Sequence, residues 1–167
     1  MTGDHPQMAP SDTLPRAHTL TNTPGEAQLT VRLSYDDRHR RRLVVSAVDG
    51  TRVLIDLAKA TRLRSGDTLA MDDGRTLKIA AEDEPVADIF AADERALRTL
   101  AWHLGNRHTP TAILADRLRI RRDHVLEDMA RRLGAQVTTA DAPFDPEPGA
   151  YHGEGHHHHH HHDDDDD

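Results

Sequence analysis

The sequence predicts an α+β protein in which a small β-rich domain is followed by a βαββαβ domain. Short apolar runs separated by turn signals fill residues 29 to 82, whereas two amphipathic helical patterns alternate with apolar runs between residues 86 and 139. Both ends of the chain lack apolar periodicity and contain prolines. The expected organisation is a disordered segment at 1–24, a β-rich domain at 25–81, a second domain at 82–145 and a flexible tail rich in His and Asp at 146–167.

The first domain is predicted from its strands and turns. Leu29 to Leu33 alternates apolar and polar residues, as a half-buried strand does. Asp49-Gly50 and Asp73-Gly74 are typical of tight turns between strands. Further strands are expected at 43–48, 53–57, 69–71 and 76–80. No pair of histidines or glycine-rich phosphate loop interrupts these strands, so we expect a partner-docking module without a metal of its own.

The second domain is predicted from its capping signals. Asp93 is a good N-cap for a helix that runs towards Asn106. Asp123 is expected to cap a second helix, which Gly134 ends. Strands are expected at 86–90, 111–114, 118–121 and 136–139. The resulting order, βαββαβ, is the ferredoxin-like pattern.

Composition narrows the classes of function. The chain has 167 residues and only 3% aromatic residues, so two small domains would be marginal alone and oligomerisation is expected. Because the sequence contains no cysteine, a site for a soft metal must be built from histidine. There is no charged-then-apolar leader and no apolar run approaching the roughly 18 residues of a membrane span, which predicts a cytoplasmic protein that does not bind membranes.

The C-terminus ends in seven consecutive histidines followed by five aspartates. Imidazole is a preferred ligand of Ni²⁺, Cu²⁺ and Zn²⁺, and a flexible run of imidazoles gives capacity and fast exchange. An added purification tag is the alternative, but the leading Gly153-Glu154-Gly155 and the closing acidic run favour a native segment. The expected metal ligands of this segment, called here the C-terminal histidines, are His152, His156, His157, His158, His159, His160, His161 and His162.

Two further histidines are candidate ligands. On a helical wheel His108 lies about 20° from Leu97, so it is expected on the apolar face of the first helix, where a neutral imidazole keeps its lone pair for a metal. A core histidine bonded to a backbone carbonyl is the commoner outcome, and the pattern alone leaves it ahead. His124 follows the N-cap Asp123, and a helix N-terminus disfavours positive charge. Its alternative is an exposed first-turn residue without a ligand.

Catalysis and nucleic-acid binding find no support in the sequence. There is no H-E-x-x-H, no G-x-S-x-G, no phosphate loop and no dinucleotide fingerprint, so the chain is not expected to be an enzyme. Arginine clusters occur at 38–42 and 117–122, but no aromatic residues interleave them. We expect these clusters to form solvated faces and not a nucleic-acid interface.

Four segments together resemble one family. They are Ala101 to His108, Arg121 to Leu126, Leu133 to Ala135 and Ala142 to Tyr151, and they include the motif L-G-N-R-H ending at His108. The chain is similar to urease accessory protein UreE, a family of nickel metallochaperones. The resemblance implies a homodimer in which His108 is the principal Ni²⁺ ligand and pairs with its symmetry mate. Some members have His-x-His where this chain has Arg122-Asp123-His124, so His124 ranks below His108.

The resemblance also implies the partners and the cargo. Ni²⁺ would pass to the GTP-dependent accessory proteins, including the GTPase UreG, and through them to apo-urease. Zn²⁺ and Cu²⁺ are expected competitors, because imidazole does not discriminate against them. A histidine-rich store or buffer of Ni²⁺ or Zn²⁺ without a delivery partner is the alternative, and a small nucleic-acid-binding module is a third reading.

Deletion of residues 152–167 is expected to lower the number of Ni²⁺ ions bound per dimer while leaving at least one site. The C-terminal histidines supply capacity, whereas a preformed site at His108 avoids the entropy cost of ordering a flexible segment. Calorimetric titration of the shortened chain measures both quantities. A complete loss of nickel binding would contradict this division.

Overall fold

The structure, a computed structural model, describes residues 14–21 and 26–148. In the first domain the strands are β1 (Arg16–Thr21), β2 (Leu29–Leu33), β3 (Arg42–Ser46), β4 (Arg52–Asp56), β5 (Thr68–Met71) and β6 (Thr76–Ala81), with a 3₁₀ helix at Asp37–His39. In the second domain the elements are β7 (Asp83–Phe90), α1 (Glu94–Asn106), β8 (Ala112–Ile113), β9 (Leu118–Arg121), α2 (His124–Arg132) and β10 (Gln136–Pro143). The β-rich and the mixed α+β character of the two parts are as predicted.

The first domain is one sheet with the strand order β2-β6-β5-β1-β4-β3. The side chains that alternate inward along its strands, such as Val31, Ile55 and Ile79, are at most 1% exposed and form a single apolar core. Gly50 and Gly74 have positive φ angles of 87° and 84°, which are required in the tight turns that the sequence predicts there. The five predicted strands are all present.

The prediction that residues 1–24 are disordered is wrong for β1. This strand lies in the middle of the first sheet, parallel to β4 and antiparallel to β5, and its Ala17 is fully buried. Its sequence, Arg-Ala-His-Thr-Leu-Thr, has too few apolar residues for a visible alternation. The backbone hydrogen bonds to two neighbouring strands supply the missing stability. Residues 1–13 and 22–25 lie outside the described residues.

The second domain has the predicted order βαββαβ, with the sheet order β10-β7-β9-β8 and every neighbouring pair antiparallel. Both predicted N-caps are confirmed: Asp93 accepts a hydrogen bond from the amide of Ala96, and Asp123 accepts from the amides of Val125 and Leu126. The last strand is longer than the predicted 136–139, because it pairs with β7 over its full length. Among the described residues, no helix is long and apolar enough to cross a membrane.

The chain that follows β10 is packed, which corrects the prediction of a flexible tail from residue 146. We call residues Phe144–Pro148 the root segment. Phe144 is fully buried and packs with Val86 and Ala112, and Pro146 is also buried. The pattern of prolines and acidic residues gives no sign of this, because a single aromatic residue has no periodicity. Residues 149–167 lie outside the described residues.

A fully buried arginine from the first domain holds the root segment. The guanidinium of Arg38 donates to the backbone oxygen of Phe144, to Asp145 Oδ1 at 2.7 Å and to the backbone oxygen of Leu63 at 3.3 Å. The ring of Tyr35 meets the ring of Phe144 edge-on, with centroids 5.2 Å apart. The prediction that the cluster at 38–42 forms a solvated face is therefore wrong for Arg38. We call these contacts the interdomain clamp.

A second buried ion pair crosses the sheet of the second domain. Asp88 on β7 is opposite Arg119 on β9, which donates to both carboxylate oxygens at 2.6 and 2.9 Å. These hydrogen bonds hold the pKa of Asp88 below its ordinary value, while burial opposes the shift. Arg119 also donates to the backbone oxygen of Pro143 at 3.0 Å, at the end of β10. The prediction of a solvated face is wrong for this residue too.

Substitution Asp88→Asn is expected to lower the free energy of unfolding at pH 7 by about 2 kcal/mol, because it removes a charged partner from a buried pair. Since the pKa of Asp88 is lower in the folded state, its contribution is fully present above the unfolded pKa of about 3.9 and declines as the pH falls through the folded value. Urea denaturation at pH 7 and at successively lower pH measures the difference between variant and wild type.

The matched control is Asp128→Asn, which breaks an exposed ion pair with Arg131. This variant is expected to change stability by less than about 0.5 kcal/mol at any pH. A difference for Asp88→Asn that does not shrink on acidification would contradict the assignment.

Candidate metal centre

The first candidate ligand, His108, lies just beyond the end of α1 in a left-handed conformation. Its φ angle is 53°, and it is the one non-glycine residue with positive φ among the described residues. The amide of His108 donates to the carbonyl of Gly105 at 2.9 Å, and the amide of Thr109 donates to the carbonyl of Leu104 at 3.1 Å. This pair of hydrogen bonds is the Schellman motif, in which the left-handed position is usually glycine.

The second helix ends in the same motif with glycine in that position. Gly134 has a φ of 85°, its amide donates to the carbonyl of Arg131, and the amide of Ala135 donates to the carbonyl of Ala130, both at 3.0 Å. The ends of α1 and α2 can therefore be compared directly, because they share the motif and differ in the residue at its left-handed position. A side chain in the left-handed region costs roughly 1–2 kcal/mol relative to glycine. At the end of α1 the residue that carries this conformational cost is His108.

The predicted position of His108 on the apolar face of α1 is wrong. The helix ends at Asn106 and Leu104 is its last buried residue, so His108 has left the helical wheel and its side chain is exposed. The prediction extended the helical wheel of α1 as far as His108. It is wrong because the left-handed residue turns the chain away from the helix. Exposure makes the ring nitrogens accessible to a metal ion or to a second protein, which a core histidine would not allow.

The other histidines of the described residues do not join His108 in a cluster of three or more metal-ligating side chains. His124 is the first residue of α2, as predicted, and is exposed. The ring of His103 lies edge-on to the exposed Trp102, with centroids 5.0 Å apart. Among residues 14–21 and 26–148, no group of three or more His, Cys, Asp or Glu side chains is placed to hold a metal ion. The part of the chain that the structure describes therefore presents single candidate ligands and not a complete ligand set.

The root segment passes beside the His108 loop. The amide of Glu147 donates to the carbonyl of Thr111 at 2.9 Å, and Thr111 follows His108 by only three positions. The C-terminal histidines lie outside the described residues, which end at Pro148. The sequence did not predict that Glu147 lies next to Thr111, because most of the second domain separates these two residues in the chain.

A cleft of about 880 Å³ lies between the two domains next to this loop. The first domain contributes His39, Lys59 and Arg62 to its lining, and the second domain contributes His108 and Pro148. His39, to which the sequence assigned no role, is thus the described histidine that lines the same cleft as His108.

The fold and the site define a two-domain α+β protein that displays an isolated imidazole at the end of a helix, an arrangement suited to binding. The family models described as UreE urease accessory protein, N-terminal domain, and UreE urease accessory protein, C-terminal domain, match residues 11–82 and 84–167. The chain belongs to the UreE family of urease accessory proteins. That description is of an accessory protein and not of an enzyme, in agreement with the prediction.

Curated relatives named urease accessory protein UreE match most of the chain. The protein of Bradyrhizobium sp. strain BTAi1 is 53% identical over 131 residues, which cover 76% of this chain and 64% of the relative. That of Rhodopseudomonas palustris strain HaA2 is 54% identical over 122 residues, covering 73% and 57%. That of Chelativorans sp. strain BNC1 is 44% identical over 141 residues, covering 84% and 89%. The chain thus spans less than two thirds of the first two relatives.

Substitution His108→Gly is expected to raise the free energy of unfolding by about 1 kcal/mol, because glycine adopts the left-handed position without steric cost. His108→Ala retains the β-carbon and should give no such gain. The converse change, Gly134→Ala at the matched position of α2, is expected to lower stability by about 1 kcal/mol. Thermal and urea denaturation of the three variants measure these differences. Equal stability of His108→Gly and His108→Ala would contradict the assignment.

Proposed function

We propose that this chain is a Ni²⁺-binding metallochaperone that delivers nickel for the maturation of urease. The observation that carries the proposal is the exposed imidazole of His108, held in a left-handed position where glycine would be more stable. A conformational cost of this kind is expected at functional sites, where the side chain has a task that offsets it. Because the chain belongs to the UreE family of urease accessory proteins, we infer that the task of His108 belongs to urease maturation.

A single histidine per chain is too few for a metal site, so a second copy of the chain is part of the proposal. In a symmetric dimer every ligand is doubled, and two copies of His108 would meet at the two-fold axis. The exposed Trp102 and Ile113, 62% and 57% accessible, are apolar side chains of the same domain that a dimer interface could cover. We also infer that this domain is ferredoxin-like, since its strand order and antiparallel pairing fit that pattern.

The C-terminal histidines complete the proposed site. Their imidazoles add exchangeable ligands to the pair at the axis, so that nickel is passed on and not trapped. His124 is a weaker candidate, because it has no ligand neighbour among the described residues. Zn²⁺ and Cu²⁺ are competitors by the usual order of divalent affinities, so selectivity must come from geometry, availability and partner recognition.

The proposed partners are the other urease accessory proteins in the cytoplasm, including the GTPase UreG, and through them apo-urease. The first domain is proposed to dock them with exposed arginines on the strands β3 and β4, such as Arg42 and Arg52. A nucleic-acid partner is disfavoured, because Arg38, Arg119 and Arg121 already pair with acidic residues within the chain.

A store or buffer of Ni²⁺ or Zn²⁺ is the second candidate function. The histidine-rich C-terminus favours it, since capacity needs many interchangeable imidazoles and no particular geometry. Storage does not account for a histidine in a left-handed position, because any exposed site on the surface would serve as well. The two functions therefore differ in what they require of His108.

In the full chain, His108→Ala is expected to weaken the tightest Ni²⁺ site at least tenfold while leaving most of the capacity. It should also impair activation of apo-urease by the remaining accessory proteins. Equilibrium dialysis measures capacity, and urease activity after reconstitution measures delivery. His124→Ala is the matched control and should stay near wild type in both assays. Storage would be favoured if urease activation scales with the total Ni²⁺ capacity and is the same for His108→Ala and the wild type.

A further inference from the structure

We infer that Gly105 is a positioning residue of the proposed metal site: its missing side chain lets a second copy of the chain approach the end of α1 closely enough for both His108 imidazoles to bind one Ni²⁺ ion. The inference rests on the proposed function, and it names the residue that controls the distance between the two chains. Gly105 has no ligand atom in a side chain and acts through this distance.

Gly105 is an exception among the glycines of residues 14–21 and 26–148. The other four, Gly50, Gly66, Gly74 and Gly134, have positive φ angles between 84° and 100°, a region that residues with a side chain rarely adopt. Gly105 lies within α1 and has no positive φ angle. Its backbone conformation therefore does not require a glycine.

Packing within the described part of the chain does not require a glycine at this position either. Gly105 is exposed, and apart from its chain neighbours and the backbone of its own helix no described atom lies within 4 Å of the place where a Cβ would be. Glycine is nevertheless the poorest helix former after proline, so alanine would favour the helix more. A requirement for glycine here can therefore come only from atoms outside the described residues.

The ligand chemistry of His108 favours a second copy of the chain as the source of these atoms. The amide of His108 donates to the carbonyl of Gly105 at 2.9 Å, so the two residues belong to the same turn. Two ring nitrogens that bind one divalent ion are at most about 4 Å apart, because each metal–nitrogen bond is about 2 Å long. If each chain supplies one of these nitrogens from His108, the ends of both α1 helices must meet at the two-fold axis.

The side chains around Gly105 fit a surface that a second copy covers. Trp102 is exposed and lies three residues before Gly105, about 60° away on the helical wheel. The exposed Ile113 lines the same cleft as Gly105 and His108. A large apolar side chain next to a position without a side chain forms a ridge beside a notch, and a two-fold axis can place the ridge of one copy against the notch of the other.

The test places side chains of increasing volume at this position in the full chain. Gly105→Ala and Gly105→Leu both introduce good helix formers. The tightest Ni²⁺ site is expected to weaken about threefold or more for alanine and about tenfold or more for leucine, because overpacking a close contact is destabilising. The dissociation constant of the dimer without nickel should rise in the same order. Calorimetry measures the nickel affinity, and analytical ultracentrifugation over a dilution series measures dimer dissociation.

The stability of the single chain should change in the opposite direction. Since the position is open and alanine is the better helix former, Gly105→Ala is expected to raise the urea midpoint of unfolding, measured at a dilution at which sedimentation shows single chains. A purely structural role of Gly105 would lower stability and nickel affinity together and would overturn the inference. The matched controls are Thr99→Ala and Thr99→Leu, which change an exposed residue of α1 about 120° away on the helical wheel. Both should bind Ni²⁺ and dimerise like the wild type.

Three further results would overturn the inference. The first is unchanged nickel affinity and dimerisation of Gly105→Leu. The second is weaker nickel binding at an unchanged dimer dissociation constant, because atoms of the same chain would then fill the space at Gly105. The third is weaker dimerisation at an unchanged nickel affinity, because Gly105 would then belong to an interface without a part in metal binding.

The failure of the proposed function has a different signature. If His108→Ala leaves the tightest Ni²⁺ site unchanged, then that site does not include His108 and the proposed function fails. If His108→Ala removes that site while Gly105→Leu binds Ni²⁺ and dimerises like the wild type, the proposed function stands and the positioning role of Gly105 is wrong.

Discussion

The buried guanidinium of Arg38 is the interaction on which the arrangement of this protein depends. Arg38 is fully buried, and burial of a charged guanidinium costs roughly several kcal/mol of hydration free energy. Such a residue is tolerated only where its hydrogen-bond and ion-pair partners are held in place. Its partners here are Phe144 and Asp145, 106 and 107 positions away in the sequence. Because the two ends of this contact belong to different domains, it fixes the domains to each other and fixes the course of the chain as it leaves the last strand.

The end of α1 carries a conformational cost that the end of α2 avoids. Two helices of the second domain stop with the same pair of hydrogen bonds, and only one of them uses glycine. At Gly134 the chain takes the stable solution. At His108 it places an exposed imidazole just beyond the end of the helix. The two hydrogen bonds of the Schellman motif hold the backbone at this position, so a ligand here would lose less entropy on binding a metal ion than one on an unrestrained segment.

The proposed metal transfer requires a site that is specific and yet incomplete. The described part of the chain offers single imidazoles, and further ligands must come from a second chain or from the C-terminal histidines. Each added ligand raises affinity, and each can be withdrawn separately, so that nickel need not leave in one step.

The sequence by itself determined the elements and the candidate ligand. Alternating apolar residues fixed the strands β2 to β6, and Asp93 and Asp123 fixed the starts of both helices, because these signals lie within a few residues of the structure they specify. The motif around His108 identified the residue and its family. Only the tertiary structure decided the rest. It placed β1 in a sheet through pairing with β4 and β5, buried Arg38, exposed His108 and carried the root segment across the sheet. These features depend on contacts between residues far apart in the chain, or on the sign of a single backbone angle, and neither leaves a periodic trace in the sequence.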